Sequence, residues 1–369
     1  MKLGLRLDGR VKVALQVACA VAAVAIVARL VGRADAVATW RAVIGAGPWV
    51  LLAVGPFAVG MAADAWGTAA LLRALGHRTT LAQMLPVRLA GEALHVTMPA
   101  GFLAADGAAA MLLESRHGIP ARDGVVAAVA RKWLVMRSHA GYIAAGTLAG
   151  FAALAALSRD LVGSSALPWI VLASALVPLA LSEGTRAALL GRSTLARLHA
   201  TLARLPSRRL VRWLESRRPG IEATDAQIAR LRVAGHATAV ATLAFLASWC
   251  CEALETALLL RLVGAEVELT SVFAVEAGLS MVRSLVVLAP SGLGVVDLGY
   301  ATMFLGLGAS PASASAFVLL KRGKEAAWVA VGFVLLAVLR RPGGTATVLA
   351  ALPPGRPRRA SAWTRPAST

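Results

Sequence analysis

Arg283-Ser-Leu-Val-Val-Leu-Ala-Pro290-Ser-Gly292-Leu-Gly294-Val-Val-Asp297 is an apolar stretch interrupted in its middle. The chain carries a second version of it, Glu92-Ala-Leu-His-Val-Thr-Met-Pro99-Ala-Gly101-Phe-Leu-Ala-Ala-Asp106. Pro, Gly and the closing acid fall at identical offsets, and Glu92 is answered by Arg283. A proline lacks the amide donor and restricts the residue before it, so neither stretch can be one unbroken helix. Each reads as a broken or re-entrant helical hairpin, inside apolar runs at 81–115 and 270–308.

The match extends outward from these two points. Gly118 precedes Arg131 and Lys132 as Gly308 precedes Lys321 and Arg322, and Asp64, Arg73 and Gly76 are spaced as Glu252, Arg261 and Gly264. A duplication of roughly 60–135 onto 250–325 follows.

The composition around the hairpins is that of a polytopic membrane protein. Of 369 residues, 58% are apolar and 15% charged, so a soluble fold would lack the polar surface to cover itself. Disorder is excluded for most of the chain by the same apolar content. A net charge of +19 invites a nucleic-acid reading, but scarce charges and long apolar runs exclude it. The three cysteines, Cys19, Cys250 and Cys251, lie in apolar runs without a CxxC pair, and imply no disulfide framework and no zinc site.

A bilayer core requires about 20 apolar residues in helix. Full spans are expected at Val11–Val31 and near 46–72, 125–157, 166–185, 236–260 and 312–339. Ala34-Asp35-Ala36 resembles a signal-peptidase site, yet the preceding run is long for a signal peptide, so an uncleaved first span is expected. With the N-terminus inside, inner segments hold twenty-five of the 38 Lys and Arg, against five outside. That bias puts both termini in the cytoplasm. The expected fold is all-α, with about six spans and two broken hairpins. Its divisions are an N-terminal span and outer loop (1–40), a first repeat (41–160), a linking span with a basic segment (161–235), a second repeat (236–341) and a disordered basic tail (342–369). Leu195, Leu198, Leu202 and Leu205, with Arg197 and Arg204 between them, mark an amphipathic helix in 186–232 that suits anionic lipid headgroups.

Three spans between the hairpins insert the second copy upside down. Inverted repeats with discontinuous helices are a transporter plan, with the site between the repeats. Non-helical backbone at membrane depth requires protein or a water-filled cavity around it. Pro99, Gly101, Pro290, Gly292 and Gly294 therefore mark a candidate cavity. Charges in apolar surroundings are costly and cluster at functional sites. Arg131, Lys132, Lys321 and Arg322 are candidates to face phosphate or carboxylate, with Glu92, Asp106, Glu255, Glu276, Arg283 and Asp297 around them. Glu92 with Arg283 is expected to link the halves, and Arg88 with Glu92, and Glu276 with Arg283, to pair on their own helices. The alternative is a structural ion-pair network.

No cofactor, metal or catalytic set is expected. Glu92-x2-His95 has the spacing of a di-metal carboxylate helix, but Arg283-x2-Val286 provides no second ligand set. Gly292-x-Gly294 lacks the third glycine of a dinucleotide loop, and neither a P-loop nor a GxSxG elbow occurs.

At Glu92-Ala-Leu-His-x3-Pro99-x-Gly101, Ala289-Pro-Ser-Gly-Leu-Gly-Val-Val-Asp297, Gly308 and Lys321-Arg322 the sequence resembles the lysylphosphatidylglycerol synthase transmembrane, flippase-like family. The second half, from Ala253-Leu-Glu255 through Glu276, Val282-Arg-Ser284 and Leu320-Lys-Arg322, is similar to its hopanoid-biosynthesis-associated branch. The soluble aminoacyl-transferase domain of the full synthase is not expected here, so synthase activity is not carried over. The resemblance implies a bacterial inner-membrane protein that moves or binds a lipid. The alternative function is a non-transporting accessory subunit whose partners are lipid- or hopanoid-biosynthesis enzymes.

Overall fold

The computed structural model describes residues 35–98, 101–190, 226–228, 230–231, 234–285, 292 and 294–340. Pro99, Pro290, the Val11–Val31 run, nearly all of 186–232 and the tail from Pro342 lie outside them. The described residues are helical throughout their regular elements, with no strand among them.

The first half begins at α1 (Ala36–Ala46), which Asp35 caps by accepting from the Val37 and Ala38 amides at 2.9 and 3.1 Å. A 3₁₀ turn over Gly47–Ala53 leads into α2 (Val54–Ala74). Next come α3 (Leu81–Thr97), α4 (Gly101–His117) and α5 (Ala121–Ala149). A Thr80–Gln83 capping box starts α3, and Met98, before Pro99, ends it in extended conformation. The connecting helices are α6 (Phe151–Val162), α7 (Leu167–Ser174) and α8 (Leu176–Leu190). The second half consists of α9 (Gly235–Leu262), α10 (Leu269–Leu285), α11 (Val295–Gly306) and α12 (Pro311–Arg340). Both apolar stretches with central Pro and Gly are therefore broken helices, α3–α4 and α10–α11.

The turns repeat as well. Gly76 and Gly264 adopt φ of +99° and +76° at the ends of α2 and α9. In each case the next amide donates to the carbonyl five residues back, His77 to Leu72 at 3.0 Å and Ala265 to Leu260 at 2.9 Å. This is a Schellman closure, which calls for a residue without Cβ.

Among the described residues three helical segments are long and apolar enough to cross a bilayer: Ala36–Ala74, Leu167–Ala187 and Gly235–Leu262. The run at 125–157, expected as one span, is instead two helices bent by 77°. Gly150 at the bend packs on α10, where an added Cβ would lie 2.5 Å from the Thr270 carbonyl oxygen and 2.6 Å from Ala274. Helix α12 has the length of a span, but Lys321, Arg322, Lys324 and Glu325 stand in it.

Small residues bring the halves together, as they do between membrane helices. Gly60 of α2 meets Cys251 and Ser248 of α9, while Gly67 meets Phe245 and Ala241. Contacts that advance on one helix and retreat on the other make α2 and α9 antiparallel. Helix α5 runs antiparallel to α10 by the same criterion, through His139 on Ser280, Gly146 on Phe273 and Gly150 on Thr270. On the other side of the molecule Gly332 of α12 seats on α3. One apolar core lies among α2, α3, α4, α5 and α9, and another among α9, α10, α11 and α12. Trp40, Trp49, Trp169, Ile170 and Leu176 are all more than 60% exposed. A soluble protein seldom leaves such an apolar surface uncovered, and it suits a membrane-embedded chain.

Candidate functional site

Each half buries a cluster of charges around its broken helix pair. In the first, Asp64 of α2 is the centre. Arg88 of α3 donates from Nε to its Oδ1 at 2.7 Å. Arg131 of α5 donates from Nε to Oδ1 at 3.0 Å and from Nη2 to Oδ2 at 2.5 Å. Glu92, one turn along α3, takes the other side of Arg88 at 3.0 Å, which is the pair expected from their spacing. All four groups are buried or largely so, and the two arginines together neutralise the two carboxylates.

In the second cluster Glu276 of α10 is the centre, with its side chain 1% exposed. Lys321 of α12 donates to Oε1 at 2.9 Å and to the Thr256 hydroxyl at 2.7 Å. The Tyr300 hydroxyl of α11 lies 2.8 Å from both Glu276 oxygens and accepts from Arg283 Nη2 at 3.0 Å. Arg283 also bonds Glu252 of α9 and lies 3.8 Å from Glu276. Glu255, buried on α9, receives Lys324 at 2.5 Å.

Glu92 and Arg283, expected to link the halves, do not bond each other. Each has a nearer counter-ion in its own half, Arg88 for one and Glu252 for the other. Helix bounds also shift the register of the repeat. α3 begins at Leu81 and α10 at Leu269, and the two helices are matched when these first residues are laid on each other. In that register Ser280 matches Glu92, and Arg283 matches His95.

The glycines of the breaks serve the backbone. A Cβ on Gly101 would lie 2.3 Å from the His95 carbonyl oxygen, so its absence lets α4 begin against the end of α3. Gly292 and Gly294 have φ of +66° and +83°, the left-handed region that only glycine enters cheaply. The Gly294 amide donates to Asp297 Oδ2 at 2.9 Å, capping α11. The other Asp297 oxygen accepts from Arg322 Nε at 2.8 Å, and Arg322 also bonds Glu325.

The first half has the matching residues without the bond. Asp106 on α4 and Lys132 on α5 are partly buried, and neither forms a hydrogen bond or ion pair with a described residue. Lys132 Nζ sits 4.4 Å above the Phe102 ring, with Asp106 the acid acting on it most strongly. His95 is exposed at the end of α3, and Glu92 keeps 28% of its side chain accessible. Of the four basic residues expected to face an anionic group, Arg131, Lys321 and Arg322 are thus occupied by carboxylates of the chain, and Lys132 is not. Tyr300 and Thr256 were not singled out in the sequence. The one signal for Tyr300 was rarity, since the chain has two tyrosines. Among the described residues no three His, Cys, Asp or Glu side chains converge as metal ligands would.

An all-α bundle with apolar spans and buried charge clusters around broken helices defines an integral membrane protein. The sequence profile of the lysylphosphatidylglycerol synthase TM region matches residues 13–332, and the chain belongs to that family. No curated protein and no solved structure matches the chain.

Proposed function

We propose that the protein is a flippase-like lipid transporter of the bacterial inner membrane, with both termini cytoplasmic and its two halves acting as inverted repeats. The observation that carries this reading is the unequal state of two matched pairs. Asp297 and Arg322 are closed on each other at 2.8 Å, while Asp106 and Lys132 are not bonded. A transporter that alternates between faces opens one repeat while the other is shut. Antiparallel α2 and α9, at corresponding places in the two halves, support the inversion.

In the open half Lys132 is placed for a lipid phosphate or carboxylate, and Asp106 with Glu92 for a cationic group on the same headgroup. Acyl or polycyclic parts of the lipid stay in the bilayer. No reacting group of the protein enters this account, so the lipid is moved or presented and not chemically changed. The basic 186–232 segment contacts anionic lipid at the inner face.

Reconstituted protein should let dithionite reach fluorescent phospholipid initially shielded in the inner leaflet of liposomes. Lys132→Ala and Asp106→Ala should each slow that exposure at least about tenfold while leaving the melting temperature unchanged. Transport is refuted if wild type moves no lipid in liposomes where a known scramblase works. An accessory subunit that binds without moving lipid would give that outcome.

A further inference from the structure

An apolar groove of about 580 Å³ lies apart from both charge clusters, between α5 and the α7–α8 pair. Arg137, Ala140, Gly141 and Ala144 form its α5 wall, a single stripe along one helix face. Trp169 and Leu176 stand opposite, 61% and 64% exposed, and nothing lies within 4 Å of where a Gly141 Cβ would be. The groove is therefore open to the outside of the bundle, and its small residues let another backbone come close.

One charged group belongs to this wall. Arg137 is exposed and forms no hydrogen bond or ion pair with any described residue. By contrast Arg88, Arg131, Arg283, Lys321, Arg322 and Lys324 each bond a carboxylate, and Lys132 lies on Phe102. The acids outside the described residues are Asp8, Glu215, Glu222 and Asp225, and none falls in the apolar Val11–Val31 run. That run therefore holds no counter-ion for Arg137.

Depth decides what can meet this charge. In the 29-residue α5, Arg137 lies roughly 24 Å along the axis from Ala121 and roughly 18 Å from Ala149, so about 3 Å past the middle. The hydrocarbon core extends about 15 Å to either side of its own middle. With α5 centred in that core, the nearer headgroup layer is about 12 Å away along the axis, further than an arginine side chain reaches. A lipid phosphate in either leaflet is thus out of range.

A charge at mid-membrane is costly until an opposite charge meets it, and at that depth the carrier of one is another helix. We propose that this groove docks a transmembrane helix of a different protein, one that carries a single Asp or Glu near its middle. Its carboxylate pairs with the Arg137 guanidinium, whose fork fits both oxygens, and its backbone runs along Ala140, Gly141 and Ala144 beside Trp169. Charge complementarity excludes a second copy of the chain as the occupant. Within the bundle the carboxylates of a second copy are bonded to its own bases, apart from Asp106 beside Lys132. Laying α5 on α5 across a two-fold axis would also bring Arg137 against Arg137. The surface is separate from the transport site, because none of its residues belongs to the Lys132–Asp106 pocket.

Full-length protein in phosphatidylcholine vesicles tests it, with synthetic single-span Leu/Ala peptides of about 20 residues as the probe. The peptides differ only at the central residue, which is Glu, Gln or Lys, and carry an acceptor dye. The donor dye is on Glu266→Cys in a background without Cys19, Cys250 and Cys251, so energy transfer counts bound peptide. With Arg137 in place, the Glu peptide should reach half-maximal transfer at about tenfold lower peptide-to-lipid ratio than the Gln peptide. Arg137→Gln should abolish that preference, and Arg137→Glu should transfer it to the Lys peptide. Ala144→Leu with Ala173→Leu fills the groove without removing Arg137, and should weaken binding of both the Glu and Gln peptides. Equal binding of the Glu and Gln peptides, or of neither, would overturn the proposal. So would a Glu preference that persists in Arg137→Gln. Transfer between donor- and acceptor-labelled copies of the protein that is lost in Arg137→Gln would make the occupant a second copy, and would overturn it as well.

Discussion

Arg322 on α12 and Asp297 on α11 meet at 2.8 Å, and the same carboxylate caps its own helix through the Gly294 amide. One acid thus fastens the start of α11 to α12. In the first half Asp106 stands on α4 without either bond. Aspartates at corresponding places therefore differ in what their removal costs. Asp297→Asn should lower stability by about 1–3 kcal/mol, the cost of leaving a charged partner and a buried donor poorly satisfied. Asp106→Asn should stay within about 0.5 kcal/mol of wild type. Unfolding of the two variants in detergent, followed by tryptophan fluorescence, decides this. The reverse order would contradict the geometry.

Asp64 offers a harsher case. Two arginines converge on it in surroundings that exclude water, and Arg131 has no other carboxylate bonded to it. Asp64→Ala leaves a buried uncompensated cation, which costs about 3–5 kcal/mol. Adding Arg131→Met to Asp64→Ala should recover part of that loss, because the stranded charge goes with it. Thermal melts of the single and double variants in one detergent read the difference. A double variant less stable than the single one would show that the pair is not coupled as described.

The sequence alone revealed the broken helices, since Pro-x-Gly recurs at one offset and proline acts locally. It also revealed that charges lie in the bundle, because Arg131, Lys132, Lys321 and Arg322 interrupt apolar runs. Which carboxylate each one meets depends on how α2, α3 and α5, or α9, α10 and α12, are packed, and no spacing along the chain encodes that. The bend at Gly150 was hidden for the same reason, its cause being Thr270 and Ala274 on another helix. Pairing Glu92 with Arg283 followed from aligning the repeats on their prolines. Leu269 stands 188 residues after Leu81 but Pro290 stands 191 residues after Pro99, so the offset that matches the prolines does not match the helices before them.

The proposed inversion of the repeats has a direct topological consequence. Arg78 and Glu266 are exposed in the turns that follow α2 and α9, after Gly76 and Gly264. Antiparallel α2 and α9 place those turns on opposite faces of a membrane. In a background without Cys19, Cys250 and Cys251, Arg78→Cys should react with an impermeant maleimide only after cells are opened, and Glu266→Cys in intact cells. Labelling of both from one face would defeat the inverted arrangement.

Helix α12 contains two glycines that should respond to alanine with opposite signs. At Gly323 an added Cβ has nothing within 4 Å, so alanine removes backbone freedom from the unfolded chain and should stabilise by about 0.5–1 kcal/mol. At Gly332 the new methyl would lie 2.5 Å from the Leu89 carbonyl oxygen and 2.7 Å from the Ala93 Cβ. Those neighbours are backbone and a stub, and neither can swing aside. Relief requires α12 to move off α3, separating the halves at the contact where Gly332 seats. Gly332→Ala should therefore destabilise by about 1–3 kcal/mol, as overpacking of a close contact does. Melting temperatures of the two variants, measured side by side, give the test. A stabilised or unaffected Gly332→Ala would mean that α12 and α3 do not approach at this glycine.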